Sequence, residues 1–371
     1  MSAIFTVTMP KWGLSMQEGK VNLWLKEVGD SIAPGEEIIE VESEKISGAV
    51  EAAATGVLRR QVAQADDVLP VGALLGIIAD ADVSDELIDD LVTRFQAEFV
   101  PPSADEEDSG PQTQTVKVGD VQLRYLKMGE DSAGAVPLLL VHGFGGDLNN
   151  WLFNHEPLSA SRAVYALDLP GHGSSTKVTG IASLEALGKV VVGFMDAVGI
   201  ECAHLAGHSM GGGVCLAVAK LAPNKVKSLS LIASAGLGTE INGAYIDGFV
   251  AAASRGAFKP VLETLYSNAS LVNRSMIDDM LKYKRLEGVD SALSTLAAGL
   301  FAGGRQAEQL ASAASGKPVL VIWGESDRVI PSSHATAIPG ATVKVMPGQG
   351  HMVQLEAAGE VNKLIGEFLS K

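Results

Sequence analysis

The sequence predicts two folded domains joined by an acidic segment: a small all-β sandwich, then a larger α/β domain with a helical cap. Short strand-like segments with an internal repeat fill positions 1–80, whereas strand and helix patterns alternate from Thr115 onward. A chain of 371 residues is also longer than most single domains. We therefore predict domains over residues 1–80 and 116–371, and a linker over 81–115.

Composition and charge narrow the classes of function. Hydrophobic residues make up 47% of the chain and charged residues 19%, which suits packed cores and excludes a disordered chain. The net charge is −16, and residues 81–115 alone hold ten acids and one base. Such acidity argues against nucleic acid or an anionic membrane as a partner, because both need clustered Lys and Arg. No apolar run approaches the roughly 20 residues of a membrane-spanning helix.

The N-terminal sequence and the cysteines indicate which cellular compartment to expect. Residues 1–9 lack a basic region followed by an apolar stretch, so we expect no secretory signal. Cys202 and Cys215 are the only cysteines, and they indicate neither a disulfide framework nor a metal site. We therefore expect a cytoplasmic protein without a structural metal.

The N-terminal domain contains a weak internal repeat with a period of 37 positions. The paired residues are Val28/Ala65, Asp30/Asp67, Ile32/Leu69, Gly35/Gly72, Ile38/Leu75 and Glu40/Ile77. Both copies have the alternating pattern of short strands, which predicts two similar half-sheets packed into a small β-sandwich or a flattened barrel. Strand patterns on either side of residues 42–47 place Lys45 at the tip of a tight hairpin. An exposed tip suits covalent modification, and an ordinary solvated turn lysine is the alternative.

A family resemblance covers residues 3–80. The segments that carry it are Met9-Pro10, Trp12-Gly13, Ser15-Met16-Gln17-Glu18-Gly19, Trp24, Val28-Gly29-Asp30, Gly35-Glu36, Glu42-Ser43-Glu44-Lys45 and Gly56. This region resembles the lipoyl domain of acyltransferase components of 2-oxo-acid-dehydrogenase-type complexes. That family usually has Asp-Lys-Ala at the modified lysine, and biotin carriers of the same lipoyl/biotinyl-type fold have Met on both sides. With Glu44-Lys45-Ile46 here, the resemblance implies lipoic acid covalently attached to Lys45.

Residues 81–115 combine a short helix with a tether. Apolar side chains at helical spacing, Leu87, Leu91, Phe95 and Phe99, predict an amphipathic helix over residues 83–99. Beyond Val100 the chain is rich in Pro, Ser and acids, which predicts a solvated tether. Sixteen flexible residues span an r.m.s. distance of about 20 to 24 Å, a range that suits a carrier visiting more than one site.

The alternating pattern after Thr115 predicts a parallel sheet with helices on both faces. The predicted strands are Val121 to Lys127, Leu138 to Val141, Ala163 to Leu167, Ala203 to Ala206, Ser228 to Ile232, Val319 to Ile322 and Val343 to Val345. The stretch 236–316 is mostly helical in pattern, and we expect it to form a cap over the active site.

A catalytic triad is predicted at the ends of these strands. Residues 207–211, Gly-His-Ser-Met-Gly, directly follow a strand and precede a helix, the context that a nucleophile elbow needs. A triad of this kind runs in the chain order Ser, Asp, His, and Asp327 and His351 each follow a later strand. We predict Ser209 as nucleophile, His351 as base and Asp327 as the orienting acid. Glu325 is a weaker substitute acid.

Backbone donors for a developing negative charge are predicted beside the elbow. The glycines of residues 142–145, His-Gly-Phe-Gly, let N–H groups approach a reacting carbonyl, so we choose Phe144 and Met210 as oxyanion donors. The remaining histidines are interpreted as non-catalytic: His142 and His172 as structural, His208 as poorly placed to be the base, and His155, His204 and His334 as having no motif context.

Residues 116–371 resemble the α/β-hydrolase superfamily, with every triad motif matched. No Walker-type loop or dinucleotide fingerprint occurs in the chain. Four cations of the cap, Arg274, Lys282, Lys284 and Arg285, are candidates to meet the phosphates of coenzyme A. A solvated helix face is the preferred interpretation of these four.

The combination of the two domains is similar to the dihydrolipoamide acetyltransferase component of acetoin dehydrogenase complexes. The resemblance implies acetyl transfer from lipoyl-Lys45 to coenzyme A. It also implies two partners, a thiamine-diphosphate-dependent acetoin-cleaving component and dihydrolipoamide dehydrogenase. The triad allows an acetyl-Ser209 intermediate or direct thiol attack with His351 as base. A thioesterase or esterase recruited by its lipoyl domain, and a carrier or scaffold with an idle triad, remain alternatives; an oligomer is possible.

Overall fold

The chain divides into two compact units, Met1–Gly110 and Pro111–Lys371. The computed structural model describes residues 4–12, 16–43, 47–101, 112–131 and 134–370. Most of the predicted tether, residues 102–111, lies outside these ranges. No helix in the described ranges is both long enough and apolar enough to cross a bilayer.

The first unit is a β-sandwich with one helix. Its elements are β1 Ile4–Thr8, β2 Glu18–Trp24, β3 Ser31–Ile32, β4 Glu37–Glu42, β5 Ser47–Glu51, β6 Gly56–Gln61, β7 Val68–Pro70, β8 Leu74–Ala79 and α1 Asp85–Glu98. The strands form two four-stranded sheets, in the orders β1-β8-β6-β3 and β5-β4-β2-β7. Val21, Ile38, Leu58 and Leu75 are fully buried in its core. The predicted sandwich is confirmed, but the two repeat copies do not form one sheet each: β3 and β8 lie in one sheet, and β4 and β7 lie in the other.

The internal repeat is visible in both strands and turns. Strands β3 and β4 begin at residues 31 and 37, and their counterparts β7 and β8 begin 37 positions later. Each copy closes a turn with an aspartate: Asp30 Oδ2 accepts from the Glu27 N–H at 2.7 Å, and Asp67 Oδ2 accepts from the Gln64 N–H at 2.7 Å. The repeat therefore encodes the turns as well as the strands.

Helix α1 packs against the β-sandwich of the first unit instead of lying in a linker. Ser84 caps its first turn by accepting a hydrogen bond from the Leu87 N–H, and Asp85 pairs with Arg59 at 2.9 Å. Ile88 is fully buried in an apolar cluster with Ile77 of β8. The helix predicted within residues 81–115 is thus an extension of the β-sandwich.

The apolar face of α1 differs from the predicted one at its start. Leu87 was expected on that face, but it is 54% exposed, and Ile88 takes the buried position. Leu91 and Phe95 of the predicted stripe do pack in the cluster, together with Val92. The stripe turns gradually around the helix because 3.6 residues per turn do not match a strict four-residue spacing.

A pair of neighbouring substitutions tests this packing. We expect Ile88→Ala to destabilise the first unit by about 2 to 4 kcal/mol, because it leaves a cavity in a filled apolar cluster. Leu87→Ala, its matched control, should stay within about 0.5 kcal/mol. Hydrogen exchange of the β8 amides, read by mass spectrometry on the intact chain, measures both. Equal protection in the two variants would contradict the packing of α1 on β8.

The second unit is an eight-stranded sheet with helices on both faces. Its strands are β9 Thr113–Val118, β10 Val121–Met128, β11 Leu138–Val141, β12 Val164–Leu167, β13 Ala203–His208, β14 Val226–Ile232, β15 Val319–Gly324 and β16 Thr342–Met346. Its helices are α2 His155–Leu158, α3 Leu184–Ala197, α4 Met210–Leu221, α5 Gly243–Ala251, α6 Arg255–Glu263, α7 Arg274–Lys284, α8 Val289–Leu300, α9 Val353–Glu356 and α10 Ala358–Leu369.

The sheet order is β16-β15-β14-β13-β11-β12-β10-β9. Strands β9 and β10 run antiparallel at one edge, and the other neighbours pair in parallel, apart from the antiparallel pair β10 and β12. All seven predicted strands are confirmed. Strand β9 was not predicted, because its residues are mostly exposed at the sheet edge and it begins inside the predicted linker. Helices α5 to α8 occupy the stretch 236–316 that was predicted to form the cap.

Candidate active site

Ser209 lies in a strained turn between β13 and α4. Its backbone has φ 53° and ψ −120°, a conformation that costs a non-glycine residue about 1 to 3 kcal/mol. The Ser209 N–H donates to the Ile232 carbonyl at 2.9 Å, and the Ser209 carbonyl accepts from the Ala235 N–H at 2.9 Å. These bonds to β14 and the chain after it support the strained geometry, as a nucleophile elbow requires.

The two glycines of the elbow are required by close backbone approach. A Cβ at Gly207 would lie 2.4 Å from the Gly211 carbonyl oxygen, and one at Gly211 would lie 2.1 Å from the Val141 carbonyl oxygen. Any side chain at these positions would push α4 away from β11 and β13. The motif therefore reflects the packing of strand against helix as much as the chemistry of the serine.

The structure brings His351 and Asp327 together. His351 Nδ1 lies 2.8 Å from Asp327 Oδ2, and both side chains are almost completely buried. Because the carboxylate accepts at Nδ1, the ring presents its Nε2 as the atom available for proton transfer. Ser209 is also buried, at 7% exposure.

Asp327 is held by more than the histidine. Its other oxygen, Oδ1, accepts from the N–H groups of Val329 at 2.7 Å and Ile330 at 3.0 Å. Glu325 is exposed, and in the described part of the chain it forms no hydrogen bond or ion pair with His351. The geometry therefore favours Asp327 over Glu325 as the residue that orients the ring.

A matched pair of substitutions separates these two acids. We expect Asp327→Asn to lower kcat by about 10⁴-fold, because an amide favours the wrong tautomer of the His351 ring. Glu325→Gln, two residues away, should leave kcat unchanged. Turnover of an acetyl ester by the purified chain measures both. A comparable loss in the two variants would show that the orienting role is not specific to Asp327.

The loop of residues 142–145 lies against the nucleophile. A Cβ at Gly143 would lie 3.1 Å from the Ser209 Cβ, so no larger residue fits there without a shift. The Gly145 N–H donates to His172 Nε2 at 3.1 Å, so this N–H is already used within the loop. Met210 begins α4, where N–H groups of the first turn have no partner within the helix.

His142 and His172 fix the shape of this loop. His142 Nε2 accepts from the Leu169 N–H at 2.9 Å, and its Nδ1 donates to the Gly143 carbonyl at 2.7 Å. Burial lowers the pKa of His142 to about 4 and holds the pKa of His172 well below its ordinary value. Both rings are therefore neutral scaffolding at neutral pH, as the structural interpretation of the sequence predicts.

The other histidines also have structural partners. His208 Nε2 donates to the His351 backbone carbonyl at 3.0 Å, and burial holds the pKa of His208 well below its ordinary value. The remaining contacts are His155 Nε2 with the Val164 carbonyl, His204 Nδ1 with Ser228 Oγ, and His334 Nε2 with Glu240 Oε2.

The interpretation of Lys284 as part of a solvated helix face is wrong. The residue is buried, and its Nζ donates to three carbonyls at the end of α5: Phe249 at 2.6 Å, Val250 at 2.8 Å and Ala252 at 2.8 Å. Desolvation lowers the pKa of Lys284 from its usual value. The other three cations are exposed, and Lys282 pairs with Asp279 at 3.0 Å.

The buried lysine and its exposed neighbour give a second matched pair. We expect Lys284→Met to destabilise the second unit by about 1 to 3 kcal/mol, because three buried carbonyls lose their donor. Lys282→Met should stay within about 0.5 kcal/mol. Calorimetry on the intact chain records the shift of the α/β unit's transition. Similar transitions for both variants would show that the three bonds contribute nothing.

Lys45 itself lies outside the described residues, and so does its immediate neighbourhood, residues 44–46. The described strands β4 and β5 on either side pair antiparallel, with Glu42 opposite Ser47. The lysine therefore belongs to the connection of a β-hairpin, the place where the sequence predicts the attachment site. A lipoyl group bound there is compatible with this connection.

Comparisons with known proteins identify both units. Residues 5–78 match a family described as biotin-requiring enzyme, and residues 136–358 match the alpha/beta hydrolase fold. The dihydrolipoyllysine-residue acetyltransferase component of the acetoin cleaving system of Pseudomonas putida is 54% identical over the full length of both chains. The component of the same name from Cupriavidus necator is 50% identical, over 99% of this chain and 97% of its own.

A solved structure supports the fold of the second unit. A meta-cleavage product hydrolase from Pseudomonas fluorescens superposes with a TM-score of 0.62 at 24% identity, covering 69% of this chain and 97% of its own.

Proposed function

Since this chain belongs to the family of dihydrolipoyllysine-residue acetyltransferase components of acetoin cleaving systems, we propose that it transfers acetyl from lipoyl-Lys45 to coenzyme A through Ser209. The observation that carries the serine route is the buried hydrogen bond between His351 and Asp327, in loops on the side of the sheet where Ser209 lies. Lys45 would hold the lipoyl group covalently. The group would supply a mobile thiol that carries the acyl group as a thioester.

In the first half of the reaction, Ser209 is acylated. Ser209 Oγ attacks the thioester carbonyl carbon and gives its proton to His351 Nε2. The Asp327 carboxylate holds the Nδ1–H and stabilises the resulting imidazolium. As the C–S bond breaks, His351 Nε2 would return this proton to the leaving sulfur, which would leave acetyl on the serine and a free thiol.

In the second half, coenzyme A removes the acetyl group. Its thiol gives a proton to His351 Nε2 and attacks the acyl-serine carbonyl, and Ser209 Oγ regains that proton as it leaves. The Phe144 and Met210 N–H groups donate to the oxygen that becomes negative in both halves. Each such donor typically contributes about 10²- to 10³-fold in rate.

Exclusion of water favours transfer over hydrolysis. Phe144 contacts two buried aromatic rings of the cap, Phe249 at 5.5 Å and Phe301 at 6.0 Å between ring centroids. We infer that these rings limit the access of bulk water to an acyl group on Ser209, whereas coenzyme A brings its own thiol as the nucleophile. This environment supports coenzyme A as the acceptor.

The relatives are named as components of an acetoin cleaving system, so the chain works together with other components. We propose a thiamine-diphosphate-dependent acetoin-cleaving component as the source of the acetyl group. We propose dihydrolipoamide dehydrogenase as the component that reoxidises the dithiol, because transfer leaves the lipoyl group reduced.

The decisive experiment starts with the lipoylated chain carrying acetyl. Coenzyme A is added, and acetyl-CoA and free acetate are followed by mass spectrometry. We expect acetyl-CoA from the wild type and at least a roughly 10³-fold slower formation from Ser209→Ala, since the nucleophile is absent. Acetyl-Ser209 should appear as a mass increase when coenzyme A is withheld.

The control is Ser174→Ala, a serine substitution outside the triad, which should transfer like the wild type. Full transfer by Ser209→Ala would contradict the covalent route and favour direct thiol attack with His351 as base. Free acetate at a rate independent of coenzyme A would identify a hydrolase instead.

A further inference from the structure

Glu356 of α9 joins the loop of the catalytic histidine to the cap. Its Oε1 accepts from the Gly350 N–H at 3.0 Å, one residue before His351. Its Oε2 accepts from the Ser267 N–H at 2.7 Å and from the Ser267 hydroxyl at 2.5 Å. Ser267 follows α6 and belongs to the cap, so one carboxylate connects two segments that are distant in the sequence.

Backbone contacts continue this connection up to the histidine. The Leu265 carbonyl accepts from the N–H groups of His351 at 2.9 Å and Met352 at 3.1 Å. A Cβ at Gly350 would lie 2.6 Å from the Ser267 nitrogen, so the two backbones approach as closely as glycine allows. We call residues 263–267 the cap turn.

The loop of the catalytic acid holds the same cap turn. Arg328, directly after Asp327, donates to the Tyr266 carbonyl at 2.7 Å and also to the Glu263 carbonyl. Asn242, at the start of the cap, donates to the Arg328 carbonyl at 2.9 Å. Both loops that carry the base and the acid are therefore bonded to one short segment of the cap.

We propose that Glu356 is a positioning residue that sets the place of His351 through the cap turn. This inference rests on the proposed roles of Ser209 and His351. Among the described residues the carboxylate is hydrogen-bonded to none of the three triad side chains, and it acts by fixing Gly350 against Ser267. Because the cap turn and the histidine loop share these bonds, a displacement of the turn also displaces the base.

This role needs a side chain with two hydrogen-bond acceptors and no donor, as an ionised carboxylate has. The two oxygens of Glu356 accept hydrogen bonds from donors on opposite sides. In Glu356→Gln one of the two oxygens becomes an NH₂ group. Whichever way the amide turns, either Gly350 or Ser267 then faces a donor instead of an acceptor.

The test measures acylation of Ser209 directly, using the pre-steady-state burst with p-nitrophenyl acetate and the full-length chain. We expect Glu356→Gln to lower the acylation rate constant about 10- to 100-fold with an unchanged half-saturating ester concentration, because the base is misplaced while the substrate site is intact. Glu360→Gln is the matched control: it removes a charge four residues away, where Glu360 pairs with Lys344. It should acylate like the wild type.

A second variant guards against a folding defect. Ser267→Ala removes only the hydroxyl donor, and it should slow acylation less than Glu356→Gln does. Combined with Glu356→Gln it should add little, because both act through one contact. If Glu356→Gln does not fold, a slower burst in Ser267→Ala alone still supports the proposal, and an unchanged burst there contradicts it.

The outcomes distinguish this inference from the proposed function. No burst in the wild type, or an equal burst in Ser209→Ala, would remove the proposed serine route. A wild-type burst that persists unchanged in Glu356→Gln would overturn only the role of Glu356. An equal slowing in Glu360→Gln would also overturn it, since the effect would then follow the lost charge and not the contact.

Discussion

The buried hydrogen bond between His351 and Asp327 is the interaction on which the candidate site depends. It joins the loops after two neighbouring strands, β15 and β16, and the acid's second oxygen is already used by the backbone of its own loop. With both its oxygens occupied, Asp327 has little freedom to turn, so the ring it holds has little freedom either. The strained backbone of Ser209 is supported in the same way, by fixed bonds to β14 and the chain after it. The proposed catalysis therefore depends on loops that are held in place by hydrogen bonds.

In the first unit, equivalent positions of the internal repeat lie in different environments. Glu40 of β4 and Ile77 of β8 occupy equivalent positions of the repeat, but the first is partly exposed and the second is buried beneath α1. Glu40 lies in β4, the strand before the predicted attachment site at Lys45. Ile77 lies in β8, the strand that α1 covers. Ile77 therefore packs with Ile88 of α1, whereas Glu40 remains partly exposed.

Sequence reasoning succeeded where a local pattern is enough, and failed where burial depends on distant segments. The strands, the elbow around Ser209 and the order of the triad follow from short motifs and alternation. Lys284 has no such signal, because its partners are carbonyls at the end of another helix, far from it in the sequence. Glu356 also has no sequence signal, because an acid shortly after a histidine forms no motif. Its role is visible only from the close approach of Gly350 to Ser267. Leu87 was predicted on the buried face of α1, but its neighbour Ile88 takes that position.

A triad of this kind does not by itself choose between water and a thiol. The same serine, base and oxyanion donors form an acyl-enzyme in either case, so the acceptor must be selected by what reaches that intermediate. Here the segment above it is the cap, where Phe249 packs on Phe144 and is itself fixed by the bond from Lys284 to its backbone carbonyl. The buried lysine thus helps to fix Phe249 beside Phe144. The proposed preference for coenzyme A would then depend on the anchoring of the cap, because the triad supplies chemistry that either acceptor would use.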